Sequence, residues 1–263
     1  MKNLIKEAIL LLLALAINLS AQSFSTDTKD GRNQASFVSD APFEKIIGLV
    51  SGIEATVKLN LNDITQKPMG KVRIAIKDIK TGIDLRDEHL RSEMWLNADK
   101  YPYAEFQLTS IKNTTTKKLD DGKTVTAIAE GKFSVHGITR NIRVPVVLTY
   151  FKESELTKAK APGNLLVVNS EFNIKLSDYG IKIPSMVVGK VNDKVKISVS
   201  FVANDANSSN NPCGTCGPKK AENKCNPCAV KKHEMKNNPC NPCAVKKVEK
   251  KENPCNPCAP KKK

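Results

Sequence analysis

The residues best suited to chemistry are eight cysteines, which all lie in the last fifth of the 263-residue chain as four Cys-x-x-Cys pairs. The unit CNPCAVKK occurs at 225–232 and 240–247, and close variants occur at 213–220 and 255–262. A Cys-x-x-Cys pair can place two thiolates on one metal ion, and neighbouring lysines favour the thiolate form. The pairs therefore predict binding of Zn(II) or Cu(I). The predicted ligands are Cys213, Cys216, Cys225, Cys228, Cys240, Cys243, Cys255 and Cys258.

Two other interpretations of these pairs stay open. In an oxidising compartment the thiols form disulfides within the tail or between chains, and the tail is then a tether. Cys-Asn-Pro-Cys is also similar to the redox motif of thioredoxin-type proteins, although no thioredoxin fold accompanies it. A haem attachment site is excluded, because alanine or glycine, not histidine, follows the second cysteine of every pair.

The other end of the chain predicts the compartment. Two lysines precede a leucine-rich apolar run at 8–17, and small residues follow at 20–21. This order is typical of a secretory signal peptide over 1–21, and the run is shorter than the about 20 apolar residues that span a bilayer. A retained membrane anchor is the alternative. We expect an exported protein, periplasmic or secreted, whose mature chain begins at Gln22.

Composition divides the rest of the chain into two parts. Residues 22–205 contain no cysteine, whereas 206–263 contain all eight cysteines, thirteen lysines, four glutamates and no aromatic residue. Residues 206–263 contain too few large apolar side chains for burial to offset the entropy lost on folding. We therefore expect a disordered tail, unless bound metal or disulfides order it. Its formal charge of +9, within a total of +15, favours weak contact with anionic envelope surfaces. Nucleic acid is not an expected partner, because no nucleic-acid module is recognisable.

Residues 22–205 alternate apolar and polar side chains with a period of two, which is typical of half-buried strands. The spacing of Leu90 and Met94 breaks this pattern and predicts one short helix over 86–96. The fold class is therefore all-β, with about eight antiparallel strands. A closed barrel is favoured because closure removes exposed sheet edges, and a two-sheet sandwich is the alternative. The alternating runs lie at 35–38, 55–61, 72–76, 106–108, 125–135, 142–150, 168–176 and 195–201.

Three segments resemble the YceI-like family. RDEHLRSEMWLNADKYPYAEF (86–106) is similar to that family's helix, which is followed by Lys-Tyr-Pro and a strand. GKFSVHGITRNIRVPVVL (131–148) is similar to its strand, turn and strand, with Gly137 at the tight corner. SDYGIKIPSMVVGKVNDKVKISVSF (177–201) resembles its closing segment. The resemblance leaves the tail outside. It implies an eight-stranded lipocalin-like barrel whose elongated apolar cavity binds a polyisoprenoid, a quinone-type lipid or another long-chain amphiphile.

The inward positions of such a barrel are apolar here and suit a hydrocarbon chain, whose exposure to water costs about 0.8 kcal/mol per CH₂. An eight-stranded barrel is just wide enough to be filled by its own side chains or to hold one slim ligand, so both interpretations stay open. The residues expected to line a cavity are Val57, Leu59, Ile74, Ile76, Trp95, Phe106, Phe133, Val144, Val146, Phe172, Ile174 and Val199.

No catalytic residue and no catalytic cofactor are predicted. His89 and His136 have no nucleophile or acid partner in their motifs, and Asp87, Glu88 and Glu93 are interpreted as ordinary helix charges. The sequence thus predicts an exported, non-enzymatic binding protein for a long-chain lipid. The alternative is a metal- or thiol-handling protein that acts through the tail, with the barrel as its scaffold. Association into a homodimer stays open.

Overall fold

The computed structural model describes residues 21–206, which form ten β-strands, two short α-helices and three 3-10 turns. Residues 1–20 of the predicted signal peptide and residues 207–263 of the predicted tail lie outside the described residues. The helices are α1 (Asp84–Arg91) and α2 (Glu155–Lys158). The strands are β1 (Gln22–Thr26), β2 (Gln34–Asp40), β3 (Lys45–Ser51), β4 (Glu54–Leu59), β5 (Met69–Ala75), β6 (Tyr103–Lys112), β7 (Thr124–Val135), β8 (Ile138–Phe151), β9 (Leu165–Lys175) and β10 (Lys194–Asn204).

Eight of these strands close into an antiparallel barrel in the order β1-β4-β5-β6-β7-β8-β9-β10, because β1 pairs with both β4 and β10. The pairing of β1 with β10 covers only two residue pairs. Farther along, β10 pairs with β2, and β2 forms a hairpin with β3. The outer edge of β3 meets the chain after β5 through two backbone hydrogen bonds of 2.8 Å between Leu49 and Lys80. The β2–β3 hairpin therefore completes the part of the wall that β1 does not reach.

The two ends of the barrel differ in what they carry. One end, called the mouth here, carries the β2–β3, β5–β6, β7–β8 and β9–β10 connections, and α1 lies in the second of these. The opposite end, called the closed end, carries the β4–β5, β6–β7 and β8–β9 connections, whereas the β1–β2 and β3–β4 connections lie within the wall. The first strand begins at the closed end and the last strand ends there.

The β7–β8 turn confirms the tight corner expected at Gly137. His136 and Gly137 have φ values of 52° and 76°, the pattern of a two-residue type I′ hairpin that matches the twist of the strands. A Cβ at position 137 would lie 2.5 Å from the ring of Tyr101, so glycine also leaves room for that ring.

The closed end is densely packed. Phe24, Ile64 and Leu166 are fully buried, and the ring of Phe24 meets the ring of Tyr150 edge-on with 6.2 Å between centroids. Burial raises the pKa of the Tyr150 phenol, and the negative charges of nearby carboxylates add to the effect. These side chains form the closed-end part of a hydrophobic core that continues along the barrel.

The predicted fold class is confirmed: the chain forms a closed eight-stranded antiparallel barrel, and the sandwich alternative is wrong. Strands β1 and β3 were not predicted. The helix exists but begins and ends earlier than 86–96. It ends because the backbone of Ser92 is extended, with φ −65° and ψ 165°, although the Ser92 amide still donates to the carbonyls of Glu88 and His89. Met94 therefore lies beyond the helix and is exposed.

In the described part of the chain, residues 21–206, we find no helix with the length and apolar character needed to cross a membrane.

Candidate ligand-binding site

The barrel interior is hollow from the mouth down to the packed floor at the closed end. The cavity has a volume of about 740 Å³, within the range of about 300–1,000 Å³ that is usual for small-molecule sites. Every strand except β1 contributes to its wall. Leu59, Ile111 and Phe201 line the cavity near the closed-end termini of β4, β6 and β10. The barrel is therefore not filled by its own side chains.

All twelve residues that the sequence assigns to a cavity wall do line this cavity, while their contact with a ligand stays a prediction. The structure brings them together because alternate residues of each strand face the same side of the sheet. Two of them lie outside the strands: Ile76 directly follows β5, and Trp95 follows α1 and is half-buried beside the mouth. The twelve are Val57, Leu59, Ile74, Ile76, Trp95, Phe106, Phe133, Val144, Val146, Phe172, Ile174 and Val199.

Glycines in the wall leave space for aromatic rings. The ring of Phe37 lies directly against Gly48 on the paired strand, where a Cβ would be 2.0 Å from the ring. The ring of Phe106 lies in the same way against Gly131, where a Cβ would be 2.5 Å away. Both rings therefore lie over the neighbouring backbone, and the missing side chains leave the interior open.

An aromatic cluster supports the wall below the β7–β8 turn. Phe133 meets Phe172 and Tyr179 edge-on, with centroid distances of 5.9 and 5.6 Å. Burial raises the pKa of the Tyr179 phenol. Nδ1 of His136 lies 3.0 Å from the carbonyl oxygen of Tyr179, so His136 connects the turn to this cluster. His136 thus has a structural partner on the neighbouring loop.

Polar side chains surround the mouth. The Arg86 guanidinium donates to Glu44 at 2.6 Å, and this ion pair joins α1 to the β2–β3 turn. The same guanidinium donates to the hydroxyl and the carbonyl oxygen of Thr81. His89 and Lys190 also line this part of the cavity. The arrangement combines an apolar interior with a polar entrance, which suits an amphiphile whose polar end stays at the mouth.

The prediction that Asp87 is an ordinary surface charge of the helix is wrong, because its side chain is only 1% exposed. Its carboxylate accepts the amide of Thr81 at 2.7 Å and the hydroxyl of Thr81 at 2.6 Å. Burial by itself raises the pKa of this carboxyl, but those two hydrogen bonds and the charges of Lys80 and Arg91 lower it more, so the net pKa lies below its usual value. Asp87 therefore fixes the loop before α1 to the helix.

Within residues 21–206, no group of three or more His, Cys, Asp or Glu side chains is placed so that it could hold a metal ion. The eight cysteines predicted as metal ligands lie outside the described residues, so that site stays a prediction.

The sequence did not predict that polar residues from separate parts of the chain form one group at the mouth. Glu44, Arg86 and Lys190 belong to three connections that are far apart in the sequence. No local motif joins them, because only closure of the barrel brings these connections to one end. Of these three residues, only Arg86 lies in a recognisable motif, the RDEHL segment at 86–90.

The fold and its cavity define a lipocalin-like binding barrel, and the chain belongs to the YceI-like domain family, whose profile matches residues 24–203. A relative named UPF0312 protein from Pseudomonas savastanoi pv. phaseolicola is 28% identical over 143 residues, which cover 53% of this chain. Another from Pseudomonas putida is 35% identical over 101 residues, which cover 38% of this chain. The chain spans 65% and 45% of the lengths of these two curated relatives.

Two solved structures share the fold. BcnA of Burkholderia cenocepacia has a TM-score of 0.54 at 18% identity, and the match covers 68% of this chain and 99% of BcnA. A polyisoprenoid binding domain from Saccharophagus degradans, implicated in plant cell wall breakdown, has a TM-score of 0.53 at 12% identity. That match covers 71% of this chain and 99% of the domain.

Proposed function

We propose that this protein binds a long-chain amphiphile, such as a polyisoprenoid or a quinone-type lipid, and carries it in the barrel without changing its bonds. The observation that carries the proposal is the cavity of about 740 Å³, which is lined almost wholly by aliphatic and aromatic side chains. An apolar chain gains about 0.8 kcal/mol for each CH₂ that leaves water for such a surface. The polyisoprenoid-binding relative of the same fold supports the same class of ligand.

The polar entrance supports an amphiphile rather than a plain hydrocarbon. Arg86, Thr81 and Glu44 form a fixed hydrogen-bonded group at the mouth, and His89 lies beside them on α1. A ligand with an apolar tail and a polar end would bury the tail on Val144 and its neighbours while its polar end stays near this group.

The first test asks what the protein carries. The chain from Gln22 onward is purified from a bacterial host. Its mass is measured by native mass spectrometry, and bound molecules are extracted with organic solvent. We expect a bound apolar molecule in the extract. A bare protein mass, together with no uptake of added long-chain quinone, would contradict the proposal.

The second test uses Trp95, which is the one tryptophan of the chain and lines the cavity. Its emission should change when a long-chain quinone is titrated into the protein. Val146 faces the cavity and its neighbour Val147 faces outward on the same strand, so V146F and V147F form a matched pair. V146F should weaken quinone binding about 10- to 100-fold, because the added ring takes ligand volume, whereas V147F should leave it unchanged. Equal affinities of the two variants would place the ligand elsewhere.

Export of the protein is part of the proposal and rests on the sequence of residues 1–21. Processing at Gln22 is checked by N-terminal sequencing of protein recovered from the periplasm or the culture medium of its own host. An unprocessed chain in the cytoplasm would contradict it.

A second candidate function, capture of Zn(II) or Cu(I) by the tail, rests on the four Cys-x-x-Cys pairs. Two sulfurs from one pair on one ion bind far more tightly than separate thiols, and binding releases protons. Its test is alkylation of the protein at the moment of isolation from its own host. Bound metal with free thiols supports capture, whereas eight cysteines in disulfides would make the tail a tether.

A further inference from the structure

Large apolar side chains are exposed around the mouth of the barrel. Phe43 and Met186 are each 81% exposed, Val188 is 67% exposed, and Ile83 and Leu85 are more than half exposed. We call these five residues the apolar rim. They come from the β2–β3 turn, the β9–β10 connection, and the residue before α1 together with its first turn.

Direct contacts hold the three segments of the apolar rim together. The amide of Phe43 donates to the carbonyl of Gly189 at 3.0 Å, and a Cβ at position 189 would lie 2.7 Å from the Phe43 ring. The Glu44–Arg86 ion pair of 2.6 Å then joins the same turn to α1. The rim is thus one supported surface around the entrance.

The rim is also continuous with the cavity. Ile83 and Leu85 line the cavity while they are more than half exposed, and Val187 lines it between the exposed Met186 and Val188. Single exposed apolar residues are common, but a cluster of this kind at the entrance of a site marks an interaction surface.

The charges beside the rim favour an anionic lipid surface. Lys45, Lys182 and Lys190 are exposed and lie within four residues of Phe43, Met186 or Val188 along the chain, and no acidic residue occurs at 181–192. Glu44 is paired with Arg86, and the remaining acidic side chains beside the rim are Asp40 at the end of β2 and those of α1, so the β9–β10 connection is the most basic part of the rim. Apolar side chains with flanking lysines are the composition of segments that insert shallowly into the interface of an anionic bilayer.

We propose that the apolar rim docks the mouth on an anionic phospholipid bilayer, so that an amphiphile passes between membrane and cavity without crossing water. Phe43, Met186 and Val188 insert among the lipids, and the three lysines contact the headgroups. This inference rests on the proposed lipid-binding function and adds to it the surface from which the ligand comes.

The test measures binding of the chain from Gln22 onward to phosphatidylcholine vesicles with and without phosphatidylglycerol, by flotation. This chain lacks the apolar run at 8–17, which would bind lipid by itself. The double variant F43S/M186S should lose at least about ten-fold in binding to the phosphatidylglycerol vesicles. The double variant K182E/K190E should lose the preference for phosphatidylglycerol.

The matched control is L156S. Leu156 is 80% exposed, similar to Phe43, but it lies on α2 at the closed end. All variants keep the same tail, so attraction of the tail to lipid is equal in each. L156S should bind vesicles as the parent chain does, and near-ultraviolet circular dichroism checks that each variant is folded.

Three results would overturn the inference. The first is absence of vesicle binding, and the second is equal binding by F43S/M186S and the parent chain. The third is a parent dimer that F43S/M186S separates, since the rim would then join two copies. Failure of docking is distinguishable from failure of the lipid-binding function. If the protein carries an extractable lipid but does not float with vesicles, only the docking proposal is wrong. If it floats with vesicles but its native mass shows no bound lipid, only the proposed lipid-binding function is wrong.

Discussion

The Asp87 carboxylate should be one of the most sensitive single groups in the domain, although it does not line the cavity. Replacing it with alanine removes two hydrogen bonds of 2.6 and 2.7 Å from Thr81 and leaves those donors without their acceptor. Hydrogen bonds to a charged group contribute about 1.5–3 kcal/mol each, so D87A should lower the free energy of unfolding by about 3–6 kcal/mol. At a urea slope of about 2 kcal/mol per molar, the midpoint should fall by about 1.5–3 M.

The same change has a defined pH dependence. The pKa of Asp87 lies below its usual value of 3.8, so the ionised carboxylate stabilises the fold. That contribution is fully present above the unfolded pKa and is lost as the pH falls through the lower folded pKa. The difference in stability between the parent chain and D87A should therefore be constant near neutral pH and shrink below a pH of about 4.

The control for D87A is E88A, which removes the exposed carboxylate of the next helix residue and should change stability by less than about 0.5 kcal/mol. D87N, which keeps the shape and an acceptor oxygen, should fall between the parent chain and D87A. The reasoning would be refuted by equal urea midpoints for D87A and E88A. A stability difference for D87A that persists unchanged below the pKa of Asp87 would refute the electrostatic part.

Three further predictions concern the wall, the tail and the cysteines. G131A should cost about 1–3 kcal/mol in urea unfolding, because its Cβ would lie 2.4 Å from the Gln107 carbonyl oxygen, whereas G31A, with no atom within 4 Å, should change stability little. Deletion of 206–263 should shift the melting temperature by less than about 2 °C in reducing, metal-free buffer, and a larger drop would mean that the domain boundary is wrong. Serine at both cysteines of one tail unit should lower the Zn(II) or Cu(I) stoichiometry of the reduced protein by one step in a metal titration, and an unchanged stoichiometry would contradict paired capture.

Much of the barrel could be predicted because most of its strands alternate buried apolar and exposed polar side chains. In β8 the buried Val144, Val146 and Leu148 alternate with exposed or half-exposed neighbours, and all three line the cavity. The sequence of β3 gives no such signal, because Ile46 and Val50 face inward while Ile47 and Leu49 are apolar and exposed. Strand β1 was missed because it has too few apolar residues to show a periodic pattern: Phe24 is its single buried residue.

The mouth could not be predicted from the sequence in the same way. Asp87 has charged neighbours and the spacing of a surface helix, and its burial depends on the Thr81 loop that folds over it. The contact of Phe43 with Gly189 joins residues that are far apart in the chain, and no periodic pattern reports it. Periodicity predicts which residues share a face of one strand, whereas the entrance is made by connections that meet only after the barrel closes.

The first and last strands of the barrel both have their outer ends at the closed end, opposite the mouth. A solid support, an affinity tag or a fusion partner that is joined directly before Gln22 or directly after Asn204 is therefore attached on the face away from the entrance. Protein immobilised in this way presents an unobstructed opening, so the same barrel can be arrayed on a sensor surface for screening of hydrophobic compounds.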